Sequence, residues 1–114
     1  MKKFIPVLVL VLLFAADVYA ADATWTAVVA DDLDGYRAYL AHGTCAAPGP
    51  FTRVATFSKT AVSGVFPTPT DDTYCGKLTA FDTAGNESGP SNLAQVTVNK
   101  NPPTAPAGLL LSVP

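Results

Sequence analysis

An all-β, antiparallel β-sandwich is the fold class this sequence predicts, on three observations. Runs of five to nine residues rich in Val, Thr, Tyr and Phe recur along the chain, clusters of Gly, Pro and Asp separate them, and no segment after the first 20 residues carries a helical period. The clearest instance is Thr73–Val98. Tyr74, Leu78 and Ala80 alternate there with Cys75, Lys77 and Thr79, the period-2 pattern of a half-buried strand, and Leu93–Val98 supplies a second apolar, β-branched run. Between them Asp82, Gly85, Asn86, Ser88, Gly89 and Pro90 supply positive φ angles, side-chain turn mimicry and one fixed φ, so the two runs are expected to pair antiparallel.

At the start of the chain, Met1-Lys2-Lys3 precedes an uncharged run from Phe4 to Ala16 and a small-residue exit at Val18-Tyr19-Ala20. This is the pattern of a secretory signal peptide, so residues 1–20 are expected to be removed by cleavage after Ala20. The run is shorter than the roughly 20 apolar residues that span a bilayer, so no stable membrane anchor is expected after cleavage. No cysteine follows the cleavage region to accept a lipid. The expected location is secreted or periplasmic, and the remaining chain suffices for one small domain, residues 21–100, followed by a tail, residues 101–114.

Within the domain the strands are expected at Ala23–Ala30, Tyr36–Ala41, Phe51–Ser58, Thr60–Val65, Thr73–Phe81 and Leu93–Asn99. Their separators are residues 31–35, 42–50, 66–72 and 82–92, each with its own Gly, Pro or Asp turn chemistry. After leader removal five basic residues stand against eight acidic ones, a net charge of −3, and the Lys and Arg residues are scattered singly. Nucleic acid is therefore not an expected partner, because a phosphate-reading surface needs clustered cations. Cys45 and Cys75 both lie in the exported part, where an even pair closes into a disulfide. Zinc is disfavoured, since His42 is the sole histidine and shows no metal-ligand spacing with them.

Trp25-Thr26, Asp34-Gly35-Tyr36-Arg37-Ala38-Tyr39, Gly49-Pro50-Phe51-Thr52-Arg53-Val54-Ala55 and Tyr74–Asn92 together resemble strands B, C, C′, F and G of bacterial fibronectin type III domains. The resemblance covers roughly residues 23 to 99. It implies a tyrosine corner at Tyr74, whose hydroxyl bonds back to the preceding connection, and core positions for Trp25, Tyr36 and Leu78. It also places the loop holding Cys45 near the start of strand F, so the Cys45–Cys75 bridge is feasible, on the sheet face opposite Tyr74. Two departures stand out. Strand A is absent from the N-terminus of the expected mature chain. At the other end the Pro-rich Asn101–Pro106 and the apolar Leu109–Val113 look like the linker and strand A that ordinarily open such a domain. Three arrangements of this A-like strand remain open: folding back into its own domain, insertion into a neighbouring molecule, or membership of a longer multi-domain array.

The sites are few. Asp31-Asp32-Leu33-Asp34-Gly35 and Asp82-Thr83-Ala84-Gly85-Asn86-Glu87 place oxygen ligands close together, but both read better as turns than as calcium loops. Asn86-Glu87-Ser88 matches a glycosylation acceptor, although the Lys-Lys leader looks bacterial. His42 has no nucleophile placed beside it by any motif, so no catalytic residue, cofactor or metal is assigned. The best remaining surface is the outward face of strands C and F, with Arg37, Tyr39, Lys77 and Thr79. The expectation is a non-catalytic binding or spacer module whose partner is a protein or glycan at the cell surface or outside the cell. A self-associating subunit completed by its C-terminal strand and a carbohydrate-binding accessory protein are the alternatives.

Overall fold

A computed structural model of the chain describes residues 8–13, 20–99 and 101–113. Among them are the strands β1 (Leu10–Leu13), β2 (Ala20–Trp25), β3 (Leu33–His42), β4 (Thr52–Ser58), β5 (Ser63–Pro67), β6 (Asp72–Asp82) and β7 (Ala94–Val98), with no helix. They form two antiparallel sheets, one ordered β1-β2-β5 and the other β4-β3-β6-β7. This is the all-β sandwich that the alternation predicts.

Each sheet turns one side of its pleat inward. In β2, Ala21, Ala23 and Trp25 are buried while Asp22 and Thr24 are exposed, and β3 buries Tyr36, Ala38 and Leu40. Trp25 spans the gap between the sheets, with its ring 5.5 Å from Tyr36 and 5.2 Å from Phe57, and its Nε1 donates to the Ala61 carbonyl at 3.0 Å. Tyr36 is fully buried, and its hydroxyl accepts the Val28 amide at 3.0 Å. That bond satisfies the backbone where the chain leaves β2 to cross between sheets, which is why the first predicted strand stops at Trp25 instead of running to Ala30. The Tyr74 hydroxyl donates to the Thr70 carbonyl at 3.0 Å and fixes the turn into β6. Gly64 in β5 faces the Phe57 ring so closely that a Cβ would collide with it, a contact that sets the spacing between β5 and β4.

The Cys45–Cys75 disulfide is formed, with the Cα atoms 5.0 Å apart across a sequence separation of 30. Closing such a loop stabilises a fold by about 3–4 kcal/mol in the chain-entropy view. Cys75 follows the inward-pointing Tyr74 and so lies on the outer face, yet it is fully buried, because the loop after β3 covers it and the Cys45 amide is anchored on Gln95 Oε1 at 2.9 Å.

Two expectations about the ends need correction. The position of strand A, beside β2, is filled from the N-terminal side by Leu10–Leu13, part of the run read as a leader. Leu8 and Leu10 are both 2% exposed and belong to the core, so the apolar character that marks a leader also suits a buried edge strand. The A-like tail forms no strand: residues 101–113 are exposed, with Leu109, Leu110, Leu111 and Val113 at 83–95% exposure. Most of the expected cleavage region, Val18 and Tyr19 included, lies outside the described residues.

Candidate binding face

Arg37 and Tyr39 alternate with the buried Tyr36, Ala38 and Leu40 along β3, so both project from the outer face of the four-stranded sheet. Antiparallel pairing with β6 sets Arg37 opposite Thr79 and Tyr39 opposite Lys77, which gathers the four residues singled out in the sequence, but only Arg37, Tyr39 and Lys77 reach the surface, for Thr79 is 5% exposed and supports Glu87 from below. They are organised by a fifth residue, Glu87. It lies in the loop after β6 and is held there by a bridge with Phe81. Its Oε1 accepts from Arg37 Nη1 at 3.0 Å, and its Oε2 accepts from the Tyr39 hydroxyl and from Thr79 Oγ1, each at 2.5 Å.

The electrostatics follow from this geometry. Partial burial alone would raise the Glu87 carboxyl. The bonds from Thr79, Tyr39 and Arg37, with the Arg37 charge, outweigh it and hold Glu87 below the usual carboxylate range. Burial, and then the bond to Glu87, push the Tyr39 hydroxyl up. The cations also lie over rings: Arg37 Cζ is 4.2 Å from the Phe81 centroid, and Lys77 Nζ is 4.3 Å from Phe51 and 5.5 Å from Tyr39. The patch is thus an array of two cations and three rings with its hydrogen bonds largely made internally. Glu87, Phe51 and Phe81 escaped the sequence reading as members of it. Glu87 is separated from Arg37 by 50 residues and sits among turn formers, where no period points to a partner.

A second concavity opens at the end of the sandwich between β4 and the segment after β5. It encloses about 330 Å³ and is lined by Leu40, His42, Pro50, Thr52, Val54, Pro67, Pro69 and Tyr74. At its mouth His42 Nδ1 is 2.6 Å from Asp72 Oδ2 and its ring packs 4.9 Å from Tyr74. The bond to His42, then the Thr73 amide, hold the Asp72 carboxyl below its usual range. Thr52 Oγ1 donates to the Leu40 carbonyl at 3.5 Å, the Tyr74 hydroxyl to the Thr70 carbonyl, and both cysteines are joined in the disulfide. The concavity thus brings a histidine–carboxylate pair against the Tyr74 ring.

The Asp82–Glu87 tip is a turn in which the carboxylate accepts from amides. Asp82 Oδ1 accepts the Ala84 and Asn86 amides at 3.0 and 2.8 Å, Oδ2 accepts from Asn86 Nδ2 at 3.1 Å, and Gly85 takes a φ of 85° to close the loop. Burial works against the Asp82 charge, but these bonds outweigh it and the carboxyl is held below its usual range.

No family model and no curated protein sequence matches the chain. Solved structures do. The fibronectin type III domain of a human fibronectin type III domain-containing protein matches with a TM-score of 0.65 at 12% identity, over 89% of this chain and 92% of that domain. A β-1,2-glucanase from Parabacteroides distasonis matches with a TM-score of 0.63 at 23% identity, over 88% of this chain. A pectate lyase from Pectobacterium carotovorum matches with a TM-score of 0.62 at 15% identity, over 79% of this chain. This chain spans only 14% of the glucanase and 27% of the lyase. At these identities the likeness concerns the fold, and the strand orders β1-β2-β5 and β4-β3-β6-β7 agree with it. By its fold, the chain is a fibronectin type III-like β-sandwich.

Proposed function

We propose that the chain is a non-catalytic contact module, exported by residues 1–20, which meets a protein or glycan partner through the outer face of its four-stranded sheet. One observation carries the reading: Arg37, Tyr39 and Thr79 bond to Glu87, and Arg37 and Lys77 lie over Phe81 and Phe51, so that one patch of charged and aromatic groups is held together by its own contacts. Rigid Tyr and Arg groups lose little conformational entropy on binding, so such a patch is suited to recognition. The disulfide supports an oxidising, extracytoplasmic setting. Protein and glycan arrays probed with the mature domain and with Tyr39→Ala test the reading. A ligand retained by the parent and lost by a folded variant supports it. A hydrolytic activity abolished by His42→Ala overturns it.

A carbohydrate partner is the second reading, favoured because a similar sandwich forms a minor part of a pectate lyase and of a β-1,2-glucanase. Affinity electrophoresis in gels containing pectate or β-1,2-glucan checks it. Unretarded migration in both, together with binding on the protein array, removes it.

A further inference from the structure

The edge of the three-stranded sheet is filled by a segment with two roles. Leu10–Leu13 completes the sheet beside β2, yet residues 1–20 carry the pattern of an export leader. Cleavage after Ala20 removes β1, opens the hydrogen-bonding edge of β2, and uncovers the part of the core that Leu8 and Leu10 close. We propose that Leu109–Val113 of a second copy of this chain then takes the place of β1, so that molecules join end to end by strand addition. The proposal rests on the leader reading above.

Three features of the chain support this occupant. The first is pattern. In the slot Leu8 and Leu10 point inward, while Val9 and Val11 are 55% and 45% exposed. Laid in the same register, Leu109 and Leu111 take the inward positions, and Leu110 and Ser112 take the outward ones. The second is the clamp. Asn92, in the loop before β7, accepts the Leu10 amide on Oδ1 at 2.6 Å and donates from Nδ2 to the Leu10 carbonyl at 2.8 Å. It reads only main chain, so it can hold any residue with a free amide at that position, Leu111 in the proposed register included.

The third is direction. Val98, at the end of β7, pairs with Asp72, and Ala20 pairs with Pro67 at that same pole of the sandwich. Leu10, the start of the slot, pairs with Trp25 at the opposite pole. A tail that leaves beside Val98 must reverse along the length of its own sheet to fill its own slot in the orientation of β1. A second molecule stacked pole to pole receives it without reversal. Pro102, Pro103 and Pro106 favour the extended linker this needs. The contact is heterologous, so it propagates into short chains or closes into rings.

The test is export of the full chain, followed by intact-mass analysis and light scattering. The expected result is an N-terminus at Ala21 and concentration-dependent oligomers. Leu109→Asp with Leu111→Asp should return them to monomers with the Cys45–Cys75 bond intact, whereas Leu110→Asp, on the outward side, should leave them assembled. A retained Met1 overturns the leader reading itself. A cleaved chain that is monomeric, oligomers that survive the double substitution, or oligomers dispersed equally by Leu110→Asp overturn strand donation. Because a weakly folded acceptor could mask assembly, a labelled peptide of residues 101–113 added to the cleaved, tail-shortened domain supplies a second measurement. Binding lost on Leu111→Asp in the peptide supports the exchange, and no binding of the parent peptide overturns it.

Discussion

In the four-stranded sheet β3 and β6 stay paired from Leu33 and Asp82 to His42 and Tyr74, and a disulfide ties the loop after β3 to β6. In the three-stranded sheet β2 meets β1 only from Leu10 and Trp25 to Leu13 and Asp22, and no covalent link crosses it. The larger sheet therefore has its register fixed by long central strands, a covalent tie and the Glu87 network. The smaller one depends on what Trp25, Phe66 and the edge strand bury. The difference separates a part secured by long paired strands and a covalent tie from a part closed by a short edge strand.

The largest effect that can test this contrast is Trp25→Ala. Trp25 is the main aromatic link from the small sheet to Tyr36 and Phe57, and truncating it should cost about 3–5 kcal/mol. Urea unfolding followed by circular dichroism measures this, since the variant loses its single tryptophan reporter. A loss under about 1 kcal/mol would mean that the small sheet does not rely on this anchor.

Next in size is removal of the bridge by Cys45→Ser with Cys75→Ser. About 3–4 kcal/mol should be lost in denaturant melts, and reduction of the parent protein should reproduce most of it. Amide exchange should report faster opening near the loop after β3, while the β3–β6 pairing persists. Equal loosening of β2 and β5 would show that the two sheets are not independently secured.

The sequence made the larger sheet legible because its rule is local. Alternation around Tyr36 and Tyr74 sets inward and outward faces, and Asp82-Thr83-Ala84-Gly85 sets the turn, while the pairing of β3 with β6 that gathers Arg37, Tyr39, Lys77 and Thr79 is implied by the resemblance to fibronectin type III domains. Glu87 did not follow. Its role depends on how far the loop after β6 folds back over the sheet, a tertiary matter. The edge strand is ambiguous for a different physical reason. An apolar run such as Leu8–Leu13 suits a leader and a buried β-edge equally, and periodicity cannot tell a continuous apolar strand from another apolar segment. The same ambiguity affects Leu109–Val113, where Leu-Leu-Leu reads as a strand and the structure shows exposed chain without one.

A smaller effect sharpens the comparison at that edge. Asn92→Ala removes both side-chain bonds to the Leu10 backbone and should cost about 1 kcal/mol in the chain that retains β1. In a cleaved, tail-shortened form the clamp has nothing to hold, and the same substitution should be close to neutral. Thermal melts of the four proteins check this. An equal loss in both backgrounds would mean that Asn92 supports the β6–β7 loop and not the edge strand.

The smallest effect belongs to the charges of the larger sheet. Asp72, Asp82 and Glu87 all have carboxyls held below their usual range, so each binds protons less readily folded than unfolded. Their contribution is fully present above the unfolded carboxylate range, about pH 4–4.5, and is lost as the pH falls through it toward their folded values. The melting temperature should be level from neutrality to about pH 5 and fall below that. Tyr39 is shifted the other way, upward, so its contribution is present below about pH 10 and lost as the pH rises beyond. Glu87→Gln should cost about 0.2–1 kcal/mol at neutral pH, a modest figure because solvent screens the exposed part of its side chain. It should also reduce the acid limb by the Glu87 share, leaving that of Asp72 and Asp82, and reduce the alkaline limb by the part of the Tyr39 shift that the Glu87 bond adds to burial. If it reduces the acid limb alone, the bond between Tyr39 and Glu87 contributes nothing in solution, and the binding face is held by Arg37 and Thr79 without it.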